Sequence, residues 1–130
     1  MFFIMILAGA LSTMNMWADK ISDIRFSLND LYMILLMTGW MLFFMGLYYR
    51  GTKVVFIGAL LVVMNIFFIR TQLFVNENQY KLGMIPHHSM AIHMSKKLLE
   101  KEKKSVQFLN NIINTQEDEI LSLKKSKNLQ

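Results

Sequence analysis

The sequence predicts an all-α protein in which three transmembrane helices precede a small two-helix domain. Two observations carry this prediction. Apolar residues crowd into the first 75 positions, where charged residues are scarce. From Asn76 onward, apolar residues instead recur at the spacing of an amphipathic helix and lysines become frequent. The chain therefore divides into a membrane domain, residues 1–75, and a helical domain, residues 76–130.

Three stretches of the membrane domain are nearly uncharged and close to the length of about 20 helical residues that crosses a hydrocarbon core. They are Met1–Trp17, Leu31–Tyr49 and Val54–Val75. The third contains Arg70, so its apolar part ends near Ile69, with the arginine reaching toward the headgroups. The first lacks the basic segment that opens a secretory signal peptide, and we expect it to be retained. Membrane lipid is thus an expected partner.

Charge does not decide the orientation of these spans. Arg50 and Lys53, in the short turn between the second and third spans, favour a cytoplasmic turn and place everything after Val75 outside. Lys20 and Arg25, in the loop after the first span, argue for the reverse.

The C-terminal region is rich in lysine. Residues 81–130 hold nine lysines against five acids. Because the lysines are not interleaved with aromatic residues or arginines, we expect no nucleic-acid partner. Anionic lipid headgroups are better neighbours for such a surface.

Two helices are predicted in this region. The first runs to about Lys103 and begins either at Pro86 or earlier, near Asn78, with a kink at the proline. The second begins near Ser105, a plausible N-cap, and ends around Lys125.

Helical spacing also predicts which faces of the two helices meet. The predicted inner face of the first helix consists of Met84, His88, Ala91, Ser95, Leu98 and Leu99. The predicted apolar face of the second helix consists of Leu109, Ile112, Ile113, Ile120 and Leu123. Gln116 interrupts the apolar face of the second helix, and a buried amide needs a hydrogen-bond partner. His88, on the facing helix, is the predicted partner.

A cluster of histidine and methionine is the strongest functional signal. All three histidines and three of the twelve methionines lie within Met84–Met94. Imidazole nitrogens and thioether sulfurs suit copper, above all Cu(I), which is the expected cofactor. The candidate metal ligands are His87, Met90, Met94, Met84, His88 and His93.

Helix geometry ranks these candidates. His87, Met90 and Met94 are spaced so that they approach a single ion, with Met84 within reach from the preceding turn. His93 points the opposite way and can serve only a second site, an intermolecular site or none. A structural interpretation stays open, because a His-His pair at a helix start often bonds a partner helix and methionines often fill cores.

Other chemistries have little support in the sequence. There is no cysteine, no His-Glu-x-x-His zinc motif and no Glu-x-x-His pair of the kind that builds di-iron centres. Phosphate-binding loops and paired inward carboxylates are also missing. We therefore expect a protein that is not an enzyme.

A resemblance to a known family rests on two motifs. They are the run Tyr80-Lys81-Leu82-Gly83-Met84-Ile85-Pro86-His87-His88 with Ala91-Ile92 and Met94, and the downstream pieces Ile113-Asn114-Thr115-Gln116 and Glu119-Ile120. Over about residues 76–125 the chain thereby resembles the domain-of-unknown-function 305 family (DUF305). The resemblance implies a ferritin-like helical fold, usually extracytoplasmic, with some members associated with copper binding or tolerance. Relatives often carry the helix pair twice, whereas this chain has it once, so a four-helix bundle implies a homo-oligomer.

Two classes of function follow. The first is an integral membrane protein that binds, stores or hands on copper through its His/Met cluster, with the C-terminal domain on the extracytoplasmic, periplasmic side. The second is a structural or accessory subunit that docks a membrane-protein partner and whose His88 and Gln116 only stabilise helix packing.

The role of one methionine pattern in the second span is left open. Met33, Met37, Met41 and Met45 recur every four residues along one side of the helix. A stripe of thioethers fits a Cu(I) relay through the membrane, and it equally fits methionines that pack against lipid and neighbouring helices.

Overall fold

A computed structural model describes residues 2–102 and 105–125, and within these residues the chain is all-α with no β-strand. This confirms the all-α part of the predicted fold class. The helices are α1 Phe2–Leu11, α2 Leu28–Tyr48, α3 Thr52–Thr71, α4 Glu77–Lys101 and α5 Val106–Lys125, with short 3-10 turns at Met14–Trp17 and Ile21–Asp23.

The chain forms two compact units. Unit 1 contains α1, α2 and α3. Unit 2 contains α4 and α5 together with Met14–Ser27, which we call the docking segment. The docking segment joins α1 to α2 in the sequence, yet it packs with the C-terminal helices.

Unit 1 is built around close contact between α2 and α3, which form an antiparallel hairpin joined by a tight turn. A Cβ atom added to Gly58 would lie 2.5 Å from the Phe43 amide nitrogen, and one added to Gly46 would lie 2.6 Å from that of Val55. No larger residue fits these positions without moving a backbone, so glycine sets the distance between the two helices.

Two of the described helices, not three, are long and apolar enough to cross a membrane. They are α2, of 21 residues, and α3, of 20. The predicted first span is wrong, because α1 has only 10 residues and so extends about 15 Å, half the thickness of a hydrocarbon core. After α1 the chain turns into the docking segment, where the Asn15 side chain accepts a hydrogen bond of 2.9 Å from the Arg25 amide.

Unit 2 confirms the earlier of the two predicted starts for its first helix. The Asn76 side chain caps α4 by accepting a hydrogen bond of 2.9 Å from the Gln79 amide, and the helix continues through a fully buried Pro86. The second helix, α5, agrees with its predicted limits, and the carbonyl of Ser105 accepts its first hydrogen bond, from the Leu109 amide.

The core of unit 2 only partly matches the predicted faces. It is formed by Ile85, Ile92 and Ile120, with Ile113 and Leu123 packed against them. The face predicted for α5 is confirmed, whereas that of α4 is wrong at Leu98, which is 44% exposed. The inner side of α4 is rotated toward Ile85, Ser89 and Ile92 because α4 packs against the docking segment as well as α5.

The tight glycine contact makes a prediction for unit 1. Gly58→Ala should destabilise the α2–α3 hairpin by about 1–3 kcal/mol, because the added methyl group overpacks a backbone contact. Thermal unfolding in detergent micelles, followed by circular dichroism, measures the change. Gly51→Ala is the matched control, since its Cβ would lie 3.6 Å from the nearest atom, and equal melting temperatures for the two variants would contradict the packing described.

Candidate functional site

The candidate ligands lie on two different sides of α4. Met84 and His88 line an open groove of about 600 Å³ between α4 and α5, whereas His87 and Met94 are exposed and Met90 is half-buried. We call this open groove between α4 and α5 the hairpin groove. It is also lined by Tyr80 of α4 and by Thr115, Asp118 and Glu119 of α5. Successive residues of a helix point about 100° apart, which is why the neighbours His87 and His88 separate.

His88 is held by two acceptors from α5. Its Nδ1 contacts the side-chain oxygen of Gln116, which confirms the predicted partner of that amide, and lies 2.9 Å from Oε2 of Glu119. Both oxygens accept, so Nδ1 carries the hydrogen and donates it. This leaves Nε2 of a neutral ring with its lone pair, in the arrangement that orients metal-binding histidines.

The spacing of Gln116 and Glu119 explains why one ring nitrogen meets both. Residues three apart on a helix lie on the same face about one turn apart, so α5 presents an amide and a carboxylate to the same ring. Glu119 pairs with His88 while its side chain stays 46% exposed.

The exposed side of α4 carries the three residues predicted to share an ion. His87, Met90 and Met94 follow one another along it, and Met94 is 53% exposed. The ring of His87 contacts that of His88 edge to face, with centroids 5.9 Å apart. Among residues 2–102 and 105–125, no three His, Cys, Asp or Glu side chains form a metal-binding group, so a site here has to draw on thioethers.

His93 lies toward the docking segment. Its Nδ1 is 4.0 Å from Oδ1 of Asp19, while the same carboxylate accepts a hydrogen bond of 2.7 Å from Lys96. The pKa of Lys96 is raised above its ordinary value by that hydrogen bond and by the negative charges of Asp19 and Glu117. Burial of Lys96 acts in the opposite direction but is the smaller effect. His93 is thereby placed in an acidic setting, apart from His87.

The docking segment is the part of unit 2 that sequence reasoning missed. Asp23, which is 2% exposed, accepts a hydrogen bond of 2.8 Å from the Ser89 hydroxyl and another from the ammonium group of Lys124. The Ser89 oxygen in turn accepts a hydrogen bond of 2.9 Å from the Asp19 amide. One short segment thus contacts both α4 and α5. The signal in the sequence is two aspartates four residues apart, opposite in charge to a lysine-rich domain.

The environment of Asp23 holds its carboxyl group in the ionised form. Burial acts to raise its pKa, but hydrogen bonds from Lys124 and Ser89, with the positive charges of Lys124 and Lys20, lower the pKa below its ordinary value. A carboxylate with a depressed pKa stabilises the fold above its unfolded-state pKa, and that contribution is lost as the pH falls through the folded-state value.

Comparison with known proteins gives a family match for the C-terminal part of the chain. Residues 71–127 match the family described as "Domain of unknown function (DUF305)". Residues 71–127 therefore belong to this family, as the motifs around His87 and Gln116 predicted.

A viral relative shares most of the chain. The protein is similar to "Uncharacterized protein L153" of Acanthamoeba polyphaga mimivirus, with 45% identity over 120 residues, covering 87% of this chain and 79% of the relative. The similarity thus extends beyond the DUF305 region into the apolar helices. No solved structure matches the chain.

The contacts of Asp23 predict how unit 2 responds to substitution. Asp23→Asn should lower the free energy of unfolding at neutral pH by about 1–3 kcal/mol, because the amide cannot accept both hydrogen bonds and the charge opposite Lys124 is lost. Thermal or denaturant unfolding of the full chain in detergent measures the loss. Asp118→Asn, at an exposed position, is the matched control and should have little effect.

The same variant tests the sign of the pH dependence. Lowering the pH from neutral to about 3 should destabilise the wild-type chain more than Asp23→Asn, since only the wild type has this carboxylate to protonate. Parallel pH profiles for the two proteins would contradict the assignment.

Proposed function

We propose that this protein is anchored in a membrane and binds copper as Cu(I) on the exposed side of α4. His87, Met90 and Met94 are the proposed ligands, with Met84 reachable from one turn before. The observation that carries the proposal is the exposure of these soft donors. Met94 is 53% exposed and His87 is also exposed, so neither side chain is part of the core of unit 2.

The chemistry of this donor set suits a soft monovalent ion. One imidazole nitrogen and two thioether sulfurs are neutral ligands, and sulfur donors favour Cu(I) over Zn²⁺, Mg²⁺ or Ca²⁺. Neighbouring side chains at helical spacings of three and four residues can turn toward one ion without a change of backbone. We therefore propose copper as the cofactor, on the basis of this donor set.

The hairpin groove offers a further pair of donors. In the neutral form of the His88 ring, Nδ1 donates to Gln116 and Glu119 and Nε2 keeps its lone pair, and Met84 lines the same groove. Met84 precedes His87 by three residues and His88 by four, so its sulfur can join either side. His93, beside Asp19, has no part in the primary site.

An exposed site favours transfer of the ion rather than its enclosure. Ligands at the surface leave an ion accessible to a second protein or to a second copy of this chain. We propose a homo-oligomer in which another copy completes the coordination, with no enzymatic role. The α2 and α3 helices supply the anchor, and unit 2 is placed on the extracytoplasmic side.

A second function is supported by one contact. His88 is engaged by Gln116 and Glu119, which is what a purely structural histidine also does. In this alternative the protein is an accessory subunit, and the exposed face of α4 docks a membrane-protein partner. A stable complex that survives loss of His87, Met90 and Met94 would favour it.

Competition for Cu(I) tests the proposed ligands. The full chain in detergent, titrated anaerobically with Cu(I) against a chromogenic chelator, should bind about tenfold or more tightly than a His87→Ala/Met90→Leu/Met94→Leu variant, since removing ligands costs at least about 1.4 kcal/mol. The matched control is Met14→Leu/Met16→Leu/Met64→Leu, which removes three sulfurs elsewhere. Equal affinity of the wild type and the α4 variant would overturn the proposal.

A fusion at the C-terminus tests the proposed topology. A reporter active only outside the cytoplasm should be active when attached after Gln130, and its cytoplasmic counterpart should be silent. The opposite pattern would place unit 2 inside and contradict this part of the proposal.

A further inference from the structure

A second set of thioethers lies in unit 1. The side chains of Met33, Met37, Met41 and Met45 line a single open groove of about 640 Å³ along α2, together with Trp40 and Phe44. We call this the α2 groove. Three of these methionines are well exposed, at 42%, 38% and 44% for Met33, Met37 and Met41. All four methionines of α2 are therefore collected on one accessible side of the helix.

The neighbouring helix shows that this collection is not a general property of the apolar surface. The exposed side chains of α3 are mostly aromatic or branched, as at Phe56, Leu60 and Val63, and α3 has one methionine, Met64. Four of the five methionines in the two helices thus share one groove. A requirement for apolar bulk alone would be met equally well by leucine or phenylalanine.

We propose that the α2 groove is a second binding site for a soft monovalent cation, Cu(I) or its analogue Ag(I), distinct from the site on α4. The spacing supplies the ligands in pairs. Side chains four residues apart lie about 5–6 Å from each other at Cβ. Two flexible methionines at that spacing can close their sulfurs on one soft ion.

The spacing also makes the pairs overlap. Met37 pairs with Met33 on one side and with Met41 on the other, and Met41 pairs in turn with Met45. Each ion position therefore shares a ligand with the next. Such a series binds an ion at several equivalent points along α2 and lets it pass between them by exchange of one thioether at a time.

The aromatic rings of the groove reduce the free-energy cost of placing a positive charge in apolar surroundings. Trp40 and Phe44 stack at a centroid distance of 5.7 Å with an angle of 19° between their planes, beside the methionines. The faces of such rings attract cations, tryptophan most strongly. The groove thus combines soft ligands with a cation-attracting wall, while Gly39 and Gly46 lie buried on the side of α2 that packs against α3.

Two double variants separate pair formation from sulfur content. Met37→Leu/Met41→Leu breaks every i, i+4 pair, whereas Met33→Leu/Met45→Leu removes the same number of sulfurs and leaves the central pair intact. Leucine is close to methionine in volume and keeps the helix and the apolar surface. Both variants are made in the full chain with the α4 ligands replaced (His87→Ala/Met90→Leu/Met94→Leu). Met84 and His88 of the hairpin groove are the same in both variants, so a difference between the two reports on the α2 groove. Circular dichroism checks their folding.

Ag(I) is the probe, since it is soft, monovalent and resistant to oxidation. Titration in lipid nanodiscs should show binding to the parent chain, retained binding in Met33→Leu/Met45→Leu, and binding about tenfold weaker or lost in Met37→Leu/Met41→Leu. Equal binding in the two double variants, or no binding to a folded parent chain, would overturn the proposal. The parent chain lacks the α4 ligands, so a negative result in this titration does not bear on the α4 site. A negative result in the Cu(I) competition at the α4 site likewise does not bear on the α2 groove.

Discussion

The buried carboxylate of Asp23 is the interaction on which the arrangement of unit 2 depends. It accepts hydrogen bonds from Ser89 on α4 and from Lys124 on α5, so one side chain of the docking segment ties both helices together. A buried charge is tolerated only when such partners are present. The contact at Ser89 also sets the rotation of α4 about its axis. Because Ser89 faces inward, His87 and Met94 face outward and Met90 is half-buried, so the same constraint that builds the domain exposes two of its three soft donors.

This rotation gives the adjacent histidines of the family motif different roles. His88 turns toward α5 and is held by Gln116 and Glu119, which the second motif places three residues apart. His87 is exposed to solvent, and its ring contacts that of His88 edge to face. The two DUF305 motifs are thus connected physically, since one supplies the histidine and the other its acceptors. In our proposal the first histidine binds the ion and the second holds the helix that presents it.

Much of this was predictable where a local pattern decides the outcome. The limits of α5 follow from helical spacing and from Ser105 at its start, and the His88–Gln116 contact follows from the cost of an unpaired amide in an apolar stripe. For α4 the sequence left two starts open, and the Asn76 cap in the structure decides for the earlier one. The docking segment was not predictable in this way, because Asp23 and Lys124 are 101 residues apart and no local pattern links them. The same segment ends α1 early, which is why a stretch that looked like a span is too short. The inward side of α4 was misjudged for the same reason, since part of its packing comes from the docking segment, far away in the sequence.

The central claim is that soft donors on α4 hold copper, and one measurement addresses it directly. The full chain would be purified from copper-supplemented cells without chelator, its metal content determined, and its copper X-ray absorption edge recorded. We expect bound copper in the Cu(I) state, with scattering from both sulfur and imidazole nitrogen, because the proposed ligands are His87, Met90 and Met94. Purified protein without copper, or copper surrounded only by oxygen and nitrogen, would contradict the claim.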